Sequence, residues 1–170
     1  YIVKEILKRT LVRMLICCVI ALLFCITGNA KVPYIPKIIN YSVSDYKAGN
    51  QNWAVSQGPG GKMYIGNNRG LLVFDGIHWD LVKLPNNLGV RALYISKDGR
   101  IYVGSFEEFG YFEMDDENDL IYHSLSSSEM NVYLNNDEFW TINEYKGEIY
   151  FQSFRSFFIY DGEKVRKGVS

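Results

Sequence analysis

Cysteine is scarce in this 170-residue chain: there are three, Cys17, Cys18 and Cys25, all near the N-terminus. The rest can hold no disulfide, thiol nucleophile or cysteine zinc site, so core packing alone must hold it together. Histidine is scarcer, with two. His78 and His123 form neither a Ser-His-Asp set nor a His-x-x-x-His spacing, which argues against hydrolase and zinc-enzyme readings. Neither charge sign dominates, with 18 Lys plus Arg against 19 Asp plus Glu. A strongly basic nucleic-acid binder is thereby set aside, and no direct nucleic-acid contact is expected. The longest apolar run, Met14 to Thr27, has fourteen residues, short of the about 20 that a membrane span needs. No cofactor motif stands out either. Gly58-Pro59-Gly60-Gly61-Lys62 looks like a phosphate loop, but Met63 stands where Ser or Thr is required and a strand pattern comes next.

The first thirty residues differ from the remainder. Lys4, Lys8, Arg9 and Arg13 face one acid, Glu5, so residues 31–170 are by themselves mildly acidic. A basic segment (1–13), the apolar run and Gly28-Asn29-Ala30 have the build of a secretory signal peptide with a cut after Ala30. Residues 1–30 are therefore expected to direct export, placing the domain behind them in the periplasm or on the outer side of the inner membrane. Large residues before each cysteine disfavour a lipoprotein signal, and an uncleaved anchor is the weaker alternative.

What the chain does have is aromatic residues (15%), fifteen glycines and an internal repeat. Asn52–Asp75, Val90–Glu113 and Glu138–Asp161 superpose without a gap over twenty-four positions, anchored by Gly61, Gly99 and Gly147, at spacings of 38 and 48. Each unit reads as short strands. The first strands are Trp53–Gln57, Arg91–Ile95 and Phe139–Asn143. After a glycine-bearing turn come Met63–Gly66, Ile101–Gly104 and Ile149–Gln152, apolar on both faces and hence buried between two layers. The third strands are Leu71–Phe74, Phe109–Phe112 and Phe157–Tyr160, each leading to a more polar fourth strand (78–84, 120–125, 164–170).

Four-stranded units of this length are β-propeller blades. The expected fold is all-β: a partial β-propeller of about three four-stranded blades (52–85, 90–125 and 138–170), preceded by a signal helix (1–30). A leader (31–51) lies between them, and its Ile38-Ile39-Asn40-Tyr41 is a candidate ring-closing strand. A closed ring takes about 4–8 blades, so the sequence is expected to be a fragment. It would meet further blades or a second copy (a homodimer).

The motif Trp-Ala or Arg-Ala, then Gly-x-x-Tyr-x-Gly, continuing as Gly70-Leu71-Leu72-Val73-Phe74-Asp75-Gly76, resembles the two-component regulator propeller repeat. That family usually has Trp where Tyr64, Tyr102 and Tyr150 stand, and its glycine-rich tail is well matched only in the first unit. The resemblance spans about residues 38–165. It implies the periplasmic sensor region of a bacterial regulator. In such proteins the propeller is followed by a triple-tyrosine domain, a membrane helix and a histidine kinase or DNA-binding domain. On this reading the region is non-catalytic, needs no cofactor, and touches the membrane only through the signal segment or a downstream helix.

Candidate ligand contacts are sought on the loops joining second and third strands, which open on the channel face. They are Asn67, Asn68 and Arg69, Phe106, Glu107 and Glu108, and Phe154 and Arg155. Arg69, Glu107 and Arg155 occupy one repeat position and could ring the channel mouth, hydrogen-bonding an oligosaccharide. Equally, they could form an inter-blade Arg–Glu–Arg salt bridge with no ligand. The cluster Asp115, Asp116, Glu117, Asn118 and Asp119 lacks the spacing of a calcium loop and reads as a solvated hairpin tip. Two other functions stay open: a polysaccharide-active propeller enzyme, for which Glu107 and Glu108 would have to converge, and an inactive truncated piece.

Overall fold

The computed structural model describes residues 2–26 and 35–168. Contacts divide the chain into two units, residues 1–39 and 40–170. The first contains one helix, α1 (Ile2–Ile26), running through the basic and apolar segments. Among the described residues no helix is long and apolar enough to cross a membrane. The expected cut after Ala30 lies outside the described residues.

The second unit holds three antiparallel sheets of four strands, each in simple sequence order. Blade 1 comprises β1 (Asn52–Gln57), β2 (Met63–Asn67), β3 (Gly70–Phe74) and β4 (Trp79–Val82). In blade 2 the strands are β5 (Ala92–Ile95), β6 (Ile101–Gly104), β7 (Phe109–Met114) and β8 (Leu120–Ser124). Blade 3 has β9 (Phe139–Tyr145), β10 (Glu148–Ser153), β11 (Phe157–Tyr160) and β12 (Val165–Lys167). The first strands β1, β5 and β9 neighbour one another, as the innermost strands of a propeller do. The partial propeller read from the repeats is thus the observed fold. The longer second spacing is taken up by a linker carrying a short helix (Asn131–Leu134), whose Leu134 is buried.

Period-two alternation along the second and third strands sends one set of side chains to each neighbouring blade. Tyr64, Leu71 and Val73 of blade 1 meet Ile101, Val103 and Phe112 of blade 2. Tyr102 and Phe109 of blade 2 meet Ile149, Phe151, Phe158 and Tyr160 of blade 3. Close approach needs small residues at the ends of β2 and β6. A Cβ on Gly66 would stand 2.9 Å from the Val90 carbonyl oxygen, and one on Gly104 would stand 2.6 Å from the Cβ of Phe139.

Residues 38–41 join none of the three sheets. Ser42 instead opens the short helix α2 (Val43–Tyr46), its N–H donating to Asp45 Oδ2 at 2.6 Å. Tyr46 and Ala48 then cover Ile65 and Leu72, on the side of blade 1 that faces away from blade 2. Tyr41 packs edge-on against Phe74 (5.1 Å) and Trp79 (5.2 Å). His78 stands one residue before β4, in the turn that Asp75 closes, rather than on the strand.

Candidate functional site

On the channel side, the first strands of blades 1 and 3 each begin with a β-bulge. Asn52 pairs with Asn67 and Ala54 with Gly66, leaving Trp53 as the extra residue of a β-bulge. Phe139 pairs with Ser153 and Thr141 with Gln152, leaving Trp140 in the same role. Arg91 immediately precedes Ala92, the partner of Gly104. Gly66, Gly104 and Gln152 share one repeat position, so Trp53, Arg91 and Trp140 are the three blades' versions of a single site. The ungapped repeat aligns Phe139 with Trp53 and Arg91, and the pairing corrects this by one residue. The cause is the turn between β9 and β10. It is a tight two-residue Lys146–Gly147 turn with φ of 52° and 80°, shorter than its counterparts in blades 1 and 2.

These three side chains converge. The Arg91 guanidinium lies 4.5 Å from the Trp53 ring centroid. Trp53 and Trp140 meet edge-to-face at 5.6 Å, and Phe154 leans on Trp140 at 5.6 Å. Polar contacts lock the cluster. Asn68 Oδ1 accepts from Trp53 Nε1 (2.7 Å) and from Arg91 (2.8 Å), while Asn68 Nδ2 donates to Gln51 (2.7 Å). Arg91 Nε donates to Glu138 Oε1 at 3.2 Å, an inter-blade ion pair with both side chains about three-quarters buried. Trp53 stays 41% exposed and Phe154 78% exposed. The Trp140 indole N–H is buried and finds no acceptor among the described residues. The patch therefore offers flat apolar rings and a held arginine. That combination suits a ring-shaped polar molecule with an apolar face.

The candidate residues from the sequence fare unevenly. Asn68 and Phe154 belong to this cluster. Asn67 does not face a channel. It is fully buried, bonding Gly49 through both its amide groups (2.9 and 2.7 Å) and also Gln51 and Asn52. Buried Ser105 and Ser153 stand at the same repeat position and do comparable work, Ser105 donating to Gly89 and Ser153 to Asp137. Asp137 also accepts the Phe154 and Arg155 N–H groups at 3.3 Å, fixing that loop. Arg69 is exposed and lines a cavity of about 290 Å³ with Leu81, Lys83 and Asn87. Phe106 bridges by its backbone to Glu138.

Glu107 and Glu108 diverge. Glu107, at φ 53°, accepts from the Asn136 N–H, whereas Glu108 takes the hydroxyls of Tyr122 (2.9 Å), Ser124 (2.7 Å) and Ser126 (2.7 Å). Arg155 donates to the Asn135 carbonyl (3.4 Å). No ion pair joins Arg69, Glu107 and Arg155 among the described residues, so the Arg–Glu–Arg bridge is replaced by Arg91–Glu138. Sequence reasoning misses Trp53, Arg91, Glu138 and Trp140 as site residues. Counting the shorter Lys146–Gly147 turn as a one-residue gap would put Trp140 in line with Trp53.

Antiparallel four-stranded sheets in sequence order, inner strands adjacent, define three consecutive blades of a β-propeller. Solved structures carry the same fold. The extracellular domain of a putative one-component system from B. thetaiotaomicron aligns with a TM-score of 0.62 at 12% identity, over 79% of this chain and 19% of that one. A second structure, the extracellular domain of a putative hybrid two-component system from B. thetaiotaomicron, gives 0.55 at 14% identity, over 71% and 17%. Virginiamycin B lyase from Staphylococcus aureus gives 0.51 at 18% identity, over 69% and 42%. The chain thus spans about a fifth of the length of the first two. No family matches the sequence, and no curated protein does.

Proposed function

We propose that this chain is part of an extracytoplasmic sensing propeller of the two-component regulator type, exported by residues 1–30. Its channel face would take an oligosaccharide or similar envelope ligand on Trp53, Arg91, Trp140 and Phe154. The observation that carries the reading is the convergence of three side chains from one position on three blades. They form a surface of two indole rings with a guanidinium held over one of them. The likeness to extracellular sensor domains supports the fold side of this reading. Its mechanism is a bias rather than a reaction: ligand contact favours one arrangement of blades or of two copies, and a downstream membrane segment carries that bias inward.

A polysaccharide-active enzyme is less well supported. Glu107 and Glu108 point to separate partners, and Glu108 is already engaged by three hydroxyls. The Tyr94 hydroxyl, donating to Glu144, is pushed up to about 12, which leaves it a poor base at neutral pH. The test is thermal stabilisation of the full chain by a panel of glycans. A hit should vanish in Trp53→Ala and Trp140→Ala and weaken about tenfold in Arg91→Ala, on the usual scale of a stacking or charged hot spot. A panel without a hit, or a hit indifferent to all three changes, would count against the reading.

A further inference from the structure

We propose that the opposite face of the propeller binds a short zwitterionic ligand, an unblocked peptide of about two or three residues, between the hairpins of blades 1 and 2. A cavity of about 720 Å³ lies there, within the usual size of ligand sites. Lys62 and Tyr64 of blade 1 line it on one side and Asp98, Arg100, Glu113 and Asn118 of blade 2 on the other. It is remote from the channel-face cluster and shares no residue with it.

The charges in this cavity are sorted by side. Arg100 serves two carboxylates, Glu113 at 3.3 Å and Asp98 at 4.0 Å, and its guanidinium also lies 5.2 Å from the Tyr111 ring centroid. His123 adds a contact to Glu113 at 3.0 Å. Two acids therefore share one permanent cation, leaving an excess negative charge on the blade 2 side. Lys62 makes no ion pair among the described residues, so the blade 1 side carries an uncompensated positive charge.

Beside Lys62, Tyr64 is almost wholly buried by its neighbours, with 3% of its surface exposed. It lines the cavity and makes no hydrogen bond among the described residues. Burial pushes its hydroxyl up, so it remains a donor. Tyr102, at the same repeat position in blade 2, lines a different cavity beside Arg100 and Tyr160. The Tyr64 hydroxyl opens on the cavity and is free to donate to a ligand there.

Each simple ligand class meets a penalty here. An anion would confront Asp98 and Glu113, a cation would confront Lys62, and a neutral molecule would leave both charges unanswered. A molecule with a carboxylate at one end and an ammonium at the other satisfies both. Its carboxylate sits on Lys62 and the Tyr64 hydroxyl, its ammonium on the Asp98–Glu113 side, and its amides meet Asn118.

The experiment is calorimetric titration of the full chain with trialanine, N-acetyl-trialanine and trialaninamide. Trialanine should bind, and blocking either end should weaken binding about tenfold or more, the scale of a charge-assisted hydrogen bond. Lys62→Gln should remove the preference for a free carboxylate, and Glu113→Gln the preference for a free amine. Tyr64→Phe, which keeps the packing, should weaken binding about threefold to tenfold. Trp53→Ala should leave binding unchanged, which separates this site from the channel-face reading. No binding of trialanine, equal binding of the blocked peptides, or indifference to Lys62→Gln would overturn the proposal.

Discussion

Between blades 1 and 2 the packing is largely aliphatic, with Leu71, Val73, Leu84, Val90, Ile101 and Val103 around Tyr64 and Phe112. Between blades 2 and 3 it is aromatic. There Phe109 sits within 4.7–5.3 Å, centroid to centroid, of Phe139, Phe151 and Phe158, and Tyr102 touches Tyr111, Phe151 and Tyr160. The same sheet-on-sheet contact is thus met by two chemistries. Aliphatic side chains fill space with little directional preference, whereas aromatic pairs favour tilted and edge-on geometries and so constrain the angle between sheets. Repetition of backbone therefore does not require repetition of side chain. What each interface must keep is a close-packed volume and a small residue where the next first strand passes.

The largest effect should come from truncating the centre of each interface. Phe109→Ala is expected to cost about 3–5 kcal/mol and Leu71→Ala about 2–5 kcal/mol, read from denaturant midpoints. If Leu71→Ala proved much the more damaging, the aromatic centre at Phe109 would not be the stronger of the two joints.

An intermediate effect separates the blades' trailing edges. Gly104→Ala drives a Cβ against Phe139 and should cost about 1–3 kcal/mol as overpacking. The repeat-equivalent Gln152→Ala, at an exposed position, should lie within about 0.5 kcal/mol of the parent. Equal losses would show that close approach is not what selects glycine there.

Acid should produce the smallest effect, read on the turn carboxylates Asp75 of blade 1 and Asp161 of blade 3. Asp75 accepts the N–H groups of His78 and Ile77, which lower its pKa from 3.8 to about 2. Asp161 is lowered in the same way by Lys164 and Glu163. A depressed folded-state pKa means that the stabilisation is present above the unfolded value and is lost as pH falls through the folded one. Melting temperature should therefore hold steady above about pH 4 and decline from there toward about pH 2. Asp75→Ala with Asp161→Ala should flatten part of that decline. A decline unchanged by the double substitution would place the acid response elsewhere.

Much of this fold was legible because blade strands advertise themselves. Tyr64-Ile65 and Tyr102-Val103 are apolar on both faces, and Gly61, Gly99 and Gly147 mark the turns. The candidate site was legible only in part. Choosing the loop after each second strand found Asn68 and Phe154, but Asn67 reads as an exposed loop amide until its burial against Gly49 is seen. Trp140 was masked by the one-residue offset in blade 3, a pairing fact that ungapped comparison hides. The hairpin-face cavity was not legible at all, because Lys62, Tyr64, Asp98 and Glu113 come together only when two blades stack.

The leader bears on how any ring built from this blade could shut. In blade 2 the leading sheet face is covered by blade 1, but in blade 1 that place is filled by Tyr46 and Ala48 of the chain's own approach. A last blade arriving there would meet a short helix and two tyrosines, not a bare sheet. Any joint made on that face would run through residues 41–48, unlike the sheet-on-sheet joints between blades 1, 2 and 3.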